Sequence, residues 1–169
     1  MRRSLIGTTM ATLGLVALIW AASAAAGLPR AGALVPGRSL GEVRLGESPR
    51  AVRAALGRFY GACRGCRRRT WYFTYGAFKK QGLAVEFERG RVSAAYTLWR
   101  PEGWYAPHGL RFGATPLTVH SRVGTLRTIT CRGYLALVRD TARARTAYYL
   151  FGGRLWGFGL FRRGVTPCL

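Results

Sequence analysis

A segment that occurs twice constrains this chain more than any other feature. Residues 44–57, Arg-Leu-Gly-Glu-Ser-Pro-Arg-Ala-Val-Arg-Ala-Ala-Leu-Gly, return 67 positions later as 111–124, Arg-Phe-Gly-Ala-Thr-Pro-Leu-Thr-Val-His-Ser-Arg-Val-Gly. The matches are Arg44/Arg111, Gly46/Gly113, Pro49/Pro116, Val52/Val119 and Gly57/Gly124. Each copy is a complete short helix. Ser48 or Thr115 is the N-cap, Pro49 or Pro116 takes the first position, where a missing N–H costs nothing, and Gly57 or Gly124 closes the last turn. Val52 and Leu56 share one helical face, as do Val119 and Val123, so both pairs belong to a core. The pattern reads as an internal duplication.

After each helix the period of apolar residues changes from 3.6 to two. Residues 70–75, 83–88 and 91–98 read as strands in the first half, and 134–139, 144–151 and 154–161 in the second. Gly90-Arg91 and Gly152-Gly153-Arg154 stand where tight hairpins need positive φ. The expected fold is α+β: two tandem repeats, 38–104 and 105–169, each a short helical segment followed by an antiparallel meander, forming one sheet with helices on one face. Residues 27–37 read as a leader, and 101–107, with two prolines and a glycine, as a linker between the halves.

The motif Val43-Arg44-Leu45-Gly46-Glu47-Ser48-Pro49, with Val52 and Leu56-Gly57 after it, resembles the repeat of β-lactamase-inhibitor proteins and of small outer-membrane-assembly lipoproteins. The resemblance covers most of 38–161 and is carried by caps and core positions. It implies a continuous sheet with helices behind it and an open concave face that grips a protein. The lipoproteins' acylated cysteine has no counterpart here.

Arg2 and Arg3, an apolar run from Leu5 to Trp20 and the small residues Ala24-Ala25-Ala26 follow the order of a secretory signal peptide, so residues 1–26 are expected to be removed in export. The alternative is a retained anchor, since 5–26 nearly suffices to span a bilayer. The protein is then secreted or associated with the cell envelope. Cys63, Cys66, Cys131 and Cys168 would meet an oxidising compartment, where disulfides are the default. Pairing Cys63 with Cys66 and Cys131 with Cys168 keeps each bridge within one half. The formal charge of +21, almost all from arginine, produces a field that attracts anionic polymers or acidic proteins.

The alternation also assigns faces. Glu86 and Glu88 must lie on the solvent side, because burying an unpaired carboxylate is too costly. Carrying that side to the second half with an offset of 63 places Tyr149, Phe151, Trp156 and Phe158 on the open face, with Gly157 and Gly159 turned towards the helices. An exposed aromatic patch beside Arg154, Arg162 and Arg163 has the composition of a protein-binding hot spot.

Catalysis has little to work with. The two histidines, His108 and His120, fall at the linker and mid-helix, the one aspartate is Asp140, and no nucleophile elbow, carboxylate pair or phosphate loop appears. Cys63-Arg64-Gly65-Cys66 before Arg67, Arg68 and Arg69 would suit thiol-disulfide exchange, but it follows a helix instead of opening one, which fits a structural bridge better. Zinc lacks a second close cysteine pair. Trp71, Phe73 and Tyr75 resemble base-stacking groups but alternate as one buried strand face, and export disfavours nucleic acid. The expectation is therefore a non-enzymatic module without cofactor or metal, binding an extracellular or envelope protein through the aromatic face. The alternatives are adhesion to anionic wall or lipid polymers, and redox exchange at Cys63/Cys66.

Overall fold

Both of the similar segments fold as their residues require. In the computed structural model, which describes residues 32–76 and 79–169, they form α1 (Pro49–Leu56) and α2 (Pro116–Val123). The Ser48 hydroxyl accepts the Ala51 N–H and the Thr115 hydroxyl accepts that of Thr118, satisfying donors that the first turn leaves free. Gly57 and Gly124 stop the helices at φ of 85° and 86°, a region that only glycine enters cheaply. Val52, Leu56, Val119 and Val123 are all buried.

The remaining elements are strands: β1 (Gly32–Val35), β2 (Ser39–Leu40), β3 (Val43–Arg44), β4 (Gly61–Ala62), β5 (Arg69–Thr74), β6 (Gly82–Glu88), β7 (Arg91–Leu98), β8 (Trp104–Ala106), β9 (Leu110–Arg111), β10 (Arg127–Cys131), β11 (Tyr134–Asp140), β12 (Ala144–Phe151) and β13 (Arg154–Arg162). Among the described residues the architecture is α+β, mostly strands, with two short α-helices, a 3-10 turn at Pro107–Gly109 and two sheets. An eight-stranded sheet runs β10-β11-β12-β13-β7-β6-β5-β4, and a five-stranded one runs β3-β2-β1-β8-β9. The large sheet is antiparallel throughout and joins its halves at β7 and β13, where Ala95 faces Leu160 and the Thr97 hydroxyl accepts the Phe158 N–H. α1, α2 and the small sheet pack on one side of it around Trp71, Phe73, Leu83, Tyr148, Phe158 and Leu160.

The single sheet expected from the sequence is thus two. Residues 32–35, within the expected leader, pair as β1 with β2 and, in parallel, with β8. The expected linker supplies β8, because Trp104 is buried and its indole N–H donates to the Tyr75 hydroxyl. Gly32 lies under that indole, where an added Cβ would come within 2.8 Å of the ring. A large aromatic with a polar tip anchors a segment whose prolines and glycine suggested looseness. The segment read as a signal peptide, 1–26, lies outside the described residues. Among the described residues no helix is long and apolar enough to cross a membrane.

Each last hairpin carries a β-bulge. Glu86 faces Ala94 while Phe87 faces Val92, so Ser93 is the extra residue in β7. Tyr149 faces Gly157 while Leu150 faces Leu155, so Trp156 is the extra residue in β13. A bulge puts two residues against one and reverses the alternation beyond it. It decides where the aromatic side chains go.

Candidate functional site

The four residues assigned to the open face separate. Tyr149 does lie opposite the helices, with Tyr96, Ala147 and Phe161, but it is fully buried. The C-terminal tail covers it: Val165 packs there, the Tyr149 hydroxyl donates to the Pro167 carbonyl at 2.8 Å, and Cys168 is bonded to Cys131. Burial pushes that hydroxyl well above its ordinary value of 10.0, so it stays a neutral donor. Phe158 is on the helix side, fully buried, its ring stacked 4.7 Å from Phe112. This corrects the expectation, and the bulge at Trp156 is the reason, since it shifts the alternation of β13 by one. Gly157 and Gly159 consequently face the open side. A Cβ on Gly159 would stand 2.4 Å from the Phe161 ring and 2.7 Å from the Tyr149 hydroxyl, so the glycines make room for those aromatics and not for a helix. Trp156 is half-buried on the open side and Phe151 is exposed.

Trp156 and Phe151 belong to a site that the sequence did not outline. A cavity of about 560 Å³ is lined by Trp99, Arg100, Arg132, Gly133, Tyr134, Phe151 and Trp156. Its floor is an aromatic cluster: Trp156 lies 5.6 Å from Tyr149, 5.9 Å from Tyr134 and 6.4 Å from Trp99 between ring centroids. Its rim is open, with Trp99 61% and Phe151 60% exposed. Trp99 reaches the rim because both it and Arg100 take left-handed φ, 51° and 52°, immediately after β7. Two successive non-glycine residues in that region carry a conformational cost of about 1–3 kcal/mol each. Lys80 sits 5.5 Å over the Trp99 ring. The Trp156 indole N–H is buried and meets no acceptor from the protein. Burial also raises the Tyr134 hydroxyl above its ordinary value, partly offset by its hydrogen bond with Leu169. No sequence signal pointed to Trp99 or Arg100, which fell between an expected strand and an expected linker.

The cysteines form the two bridges expected, Cys63–Cys66 and Cys131–Cys168. The first closes the loop between β4 and β5, where the Cys63 N–H donates to the Thr70 carbonyl. His120 is half-buried on α2, while His108 is exposed in a 3-10 turn at Pro107–Gly109. Asp140 is engaged by Arg145 at 2.6 Å and Arg127 at 3.2 Å, and the hydrogen bond from Arg145 chiefly holds its carboxyl below the ordinary value. Among the described residues no group of three His, Cys, Asp or Glu side chains gathers to hold a metal ion.

No family model matches the sequence, and no curated protein matches it. Solved structures do. The uncharacterized protein YfeY from Escherichia coli superposes with a TM-score of 0.51 at 13% identity, covering 79% of this chain and 99% of that one. An extracellular protein containing a SCP domain from Bacillus anthracis gives 0.51 at 11% identity over 70% of this chain, which spans 44% of that larger one. A DUF4309 family protein, YjgB from Bacillus subtilis, gives 0.49 at 15% identity over 69% of this chain and 78% of that one. At such identities the likeness is one of fold alone. It neither shows nor contradicts the resemblance to inhibitor-type repeats.

Proposed function

We propose that this chain is a secreted, non-enzymatic binding module that grips a protein partner in the aromatic cavity beside the tail. The observation that carries the reading is the cavity itself: about 560 Å³ between aromatic walls, with two large apolar residues exposed at its rim. Aromatic anchors ringed by arginine are what protein-binding hot spots are made of. The chemistry favours an apolar side chain flanked by acidic residues, which Arg100 and Arg132 would meet. The left-handed pair at Trp99 and Arg100 supports the reading, since backbone strain persists where a side chain must be aimed. Export is supported by the order of residues 1–26 and by the two disulfides.

We further infer that the two halves are copies. In each, the start of the helix is tied to the last strand by the same pair of backbone bonds, Gly46 N–H to Val92 with Val92 N–H to Glu47, and Gly113 N–H to Leu155 with Leu155 N–H to Ala114. Arg91 and Arg154 donate to the carbonyls of Gly46 and Gly113. The bulges at Ser93 and Trp156 stand 63 residues apart, the offset of the hairpins.

The test is selection of displayed random peptides against the chain at physiological salt, repeated with Trp99→Ala. An apolar residue beside Asp or Glu should be enriched, and the selected peptides should bind Trp99→Ala at least tenfold more weakly, as expected for a hot-spot aromatic. Peptides that bind both proteins equally would remove the cavity from the reading.

A further inference from the structure

On the helix side of the first half stands a second surface that the aromatic cavity does not involve. Arg50, Arg53, Ala54, Arg58 and Tyr60 line a concavity of about 670 Å³ along the outer face of α1. Three and four residues along a helix bring side chains together, so Arg50 and Arg53 repel one another, with the small Ala54 between them and Arg58. Arg53 and Arg69 both lie on the Trp71 ring, 5.6 and 4.9 Å from its centroid, and Tyr60 stacks on the same ring at 4.1 Å. That stacking holds the two charges in place and weakly hydrated. Among the described residues the ion pairs engage Arg68, Arg127, Arg145 and Arg162, and none engages Arg50, Arg53, Arg58 or Arg69.

Phe59 adds a feature that charge does not explain. It follows Arg58, and its side chain is 92% exposed, more than any other large apolar residue described. The corresponding face of α2 lacks the arginine cluster: Leu117, His120 and Thr125 stand where α1 has Arg50, Arg53 and Arg58, and although Leu117 is exposed, Leu126 at the position of Phe59 is buried.

We propose that this face of α1 and the Arg58–Tyr60 loop dock the protein on an anionic phospholipid surface, with the arginines on headgroup phosphates and Phe59 inserted among the acyl chains. Guanidinium groups bind phosphate through paired N–H donors, and an exposed aromatic ringed by cations is the arrangement that interfacial binding uses. A soluble polyanion would meet the same charges but has no use for Phe59. This surface is separate from the aromatic cavity, so Trp99→Ala should leave it intact.

The experiment is flotation of the exported chain with phosphatidylglycerol–phosphatidylcholine vesicles and with pure phosphatidylcholine vesicles, at physiological salt. The native protein should float with the anionic vesicles only. Phe59→Ser, which removes an exposed side chain, should weaken partitioning about tenfold, as loss of most of a buried aromatic implies. Arg50→Gln with Arg58→Gln should weaken it about fivefold for each charge removed. The control is Arg38→Gln with Arg143→Gln, which lowers net charge equally. Both are exposed, Arg143 beside β12 and Arg38 next to Gly37, whose N–H donates to Thr146 of the same strand. β12 lies four strands from β5, roughly 19 Å at ordinary strand spacing and beyond the screening length, so this pair should change binding less than twofold. The proposal is overturned if anionic vesicles are not bound, if the control loses as much as the Arg50/Arg58 pair, or if Phe59→Ser binds like the native chain. That last result would mean that charge alone holds the protein to the anionic surface and that Phe59 does not insert.

Discussion

α1 and α2 hang from the large sheet in the same way, each capped by a hydroxyl, closed by a glycine and hitched to the last strand of its half, yet the two halves load opposite surfaces. The first places arginines on the helix side, with Phe59 exposed in the loop after Arg58, and leaves the open side of β6 to Glu86 and Glu88, paired with Arg68 and Arg162. The second has a single arginine on its helix, Arg122, which donates to the His108 carbonyl, and builds aromatics on the open side, Tyr134, Tyr149 and Trp156, partly under the tail. Caps, backbone ties and buried pairs are fixed by hydrogen bonding and core volume. Positions facing outward are free of both, so the halves differ there.

The bulges show the same division of labour. The extra residue at this point of the hairpin is Ser93 in one half and Trp156 in the other. One backbone irregularity presents a small hydroxyl in the first half and the floor of a cavity in the second. The residues two positions later, Ala95 and Phe158 at the 63-residue offset with 95 matching 158, both face the helices. There the second half uses a large ring where the first uses a methyl group.

That contrast predicts the largest effect. Phe158→Ala should cost about 3–5 kcal/mol in chemical denaturation, since the ring is fully buried against Phe112 and Tyr148. Trp156→Ala, at a half-buried bulge, should cost well under half as much. Equal costs would break the separation of core ring from cavity floor.

The bridges also differ between halves. Cys131→Ser with Cys168→Ser opens a link of sequence separation 37 and frees the tail over Tyr149, for a loss of about 4 kcal/mol on chain-entropy grounds. Cys63→Ser with Cys66→Ser opens one of separation 3 and should cost about 1.6 kcal/mol. Denaturation midpoints of the two double variants check the order, and a reversed order would mean that the tail contributes little to the cover of Tyr149.

Much of this was legible in the sequence because it is local. Caps, Pro49 and Pro116, the terminal glycines and the buried valines each follow from a few neighbouring residues, and the period of two located β7 and β12 to the residue. The cysteine pairs followed once the halves were recognised. What was missed depends on pairing between distant strands. A bulge leaves no mark on periodicity in a strand reading Leu-Trp-Gly-Phe-Gly-Leu-Phe, where either phase puts aromatics on one face. Parallel pairing of β1 with β8 joins segments about 70 residues apart. The tail after β13, seven residues with one glycine and one proline, has no period that would announce it as a cover. Trp99 was missed because its position rests on two left-handed residues with no glycine to signal them.

The helix caps give a smaller test of likeness. Ser48→Ala and Thr115→Ala should each cost about 1 kcal/mol, since each hydroxyl accepts the same N–H three residues on. Thermal unfolding of the two variants should therefore match. A cost confined to one would mean that the other helix is held by its tie to the strand alone.

The smallest effect concerns the acid of the second half. Arg145 and Arg127 donate to Asp140 and hold its carboxyl below the ordinary 3.8. The folded chain therefore binds this proton less readily than the unfolded chain does, and the associated stability is present above that value and lost as pH falls through the depressed one. Asp140→Asn removes the charge at every pH. Its melting temperature should lie below that of the native protein near neutral pH, by a small margin because the pair is partly solvated, and the gap should close on acidification below about pH 4. Melting curves of both proteins across that window decide the matter. A gap that persists unchanged in acid would show that Asp140 contributes through the shape of the β11–β12 turn, where Thr141 also bonds Ala144, and not through its charge.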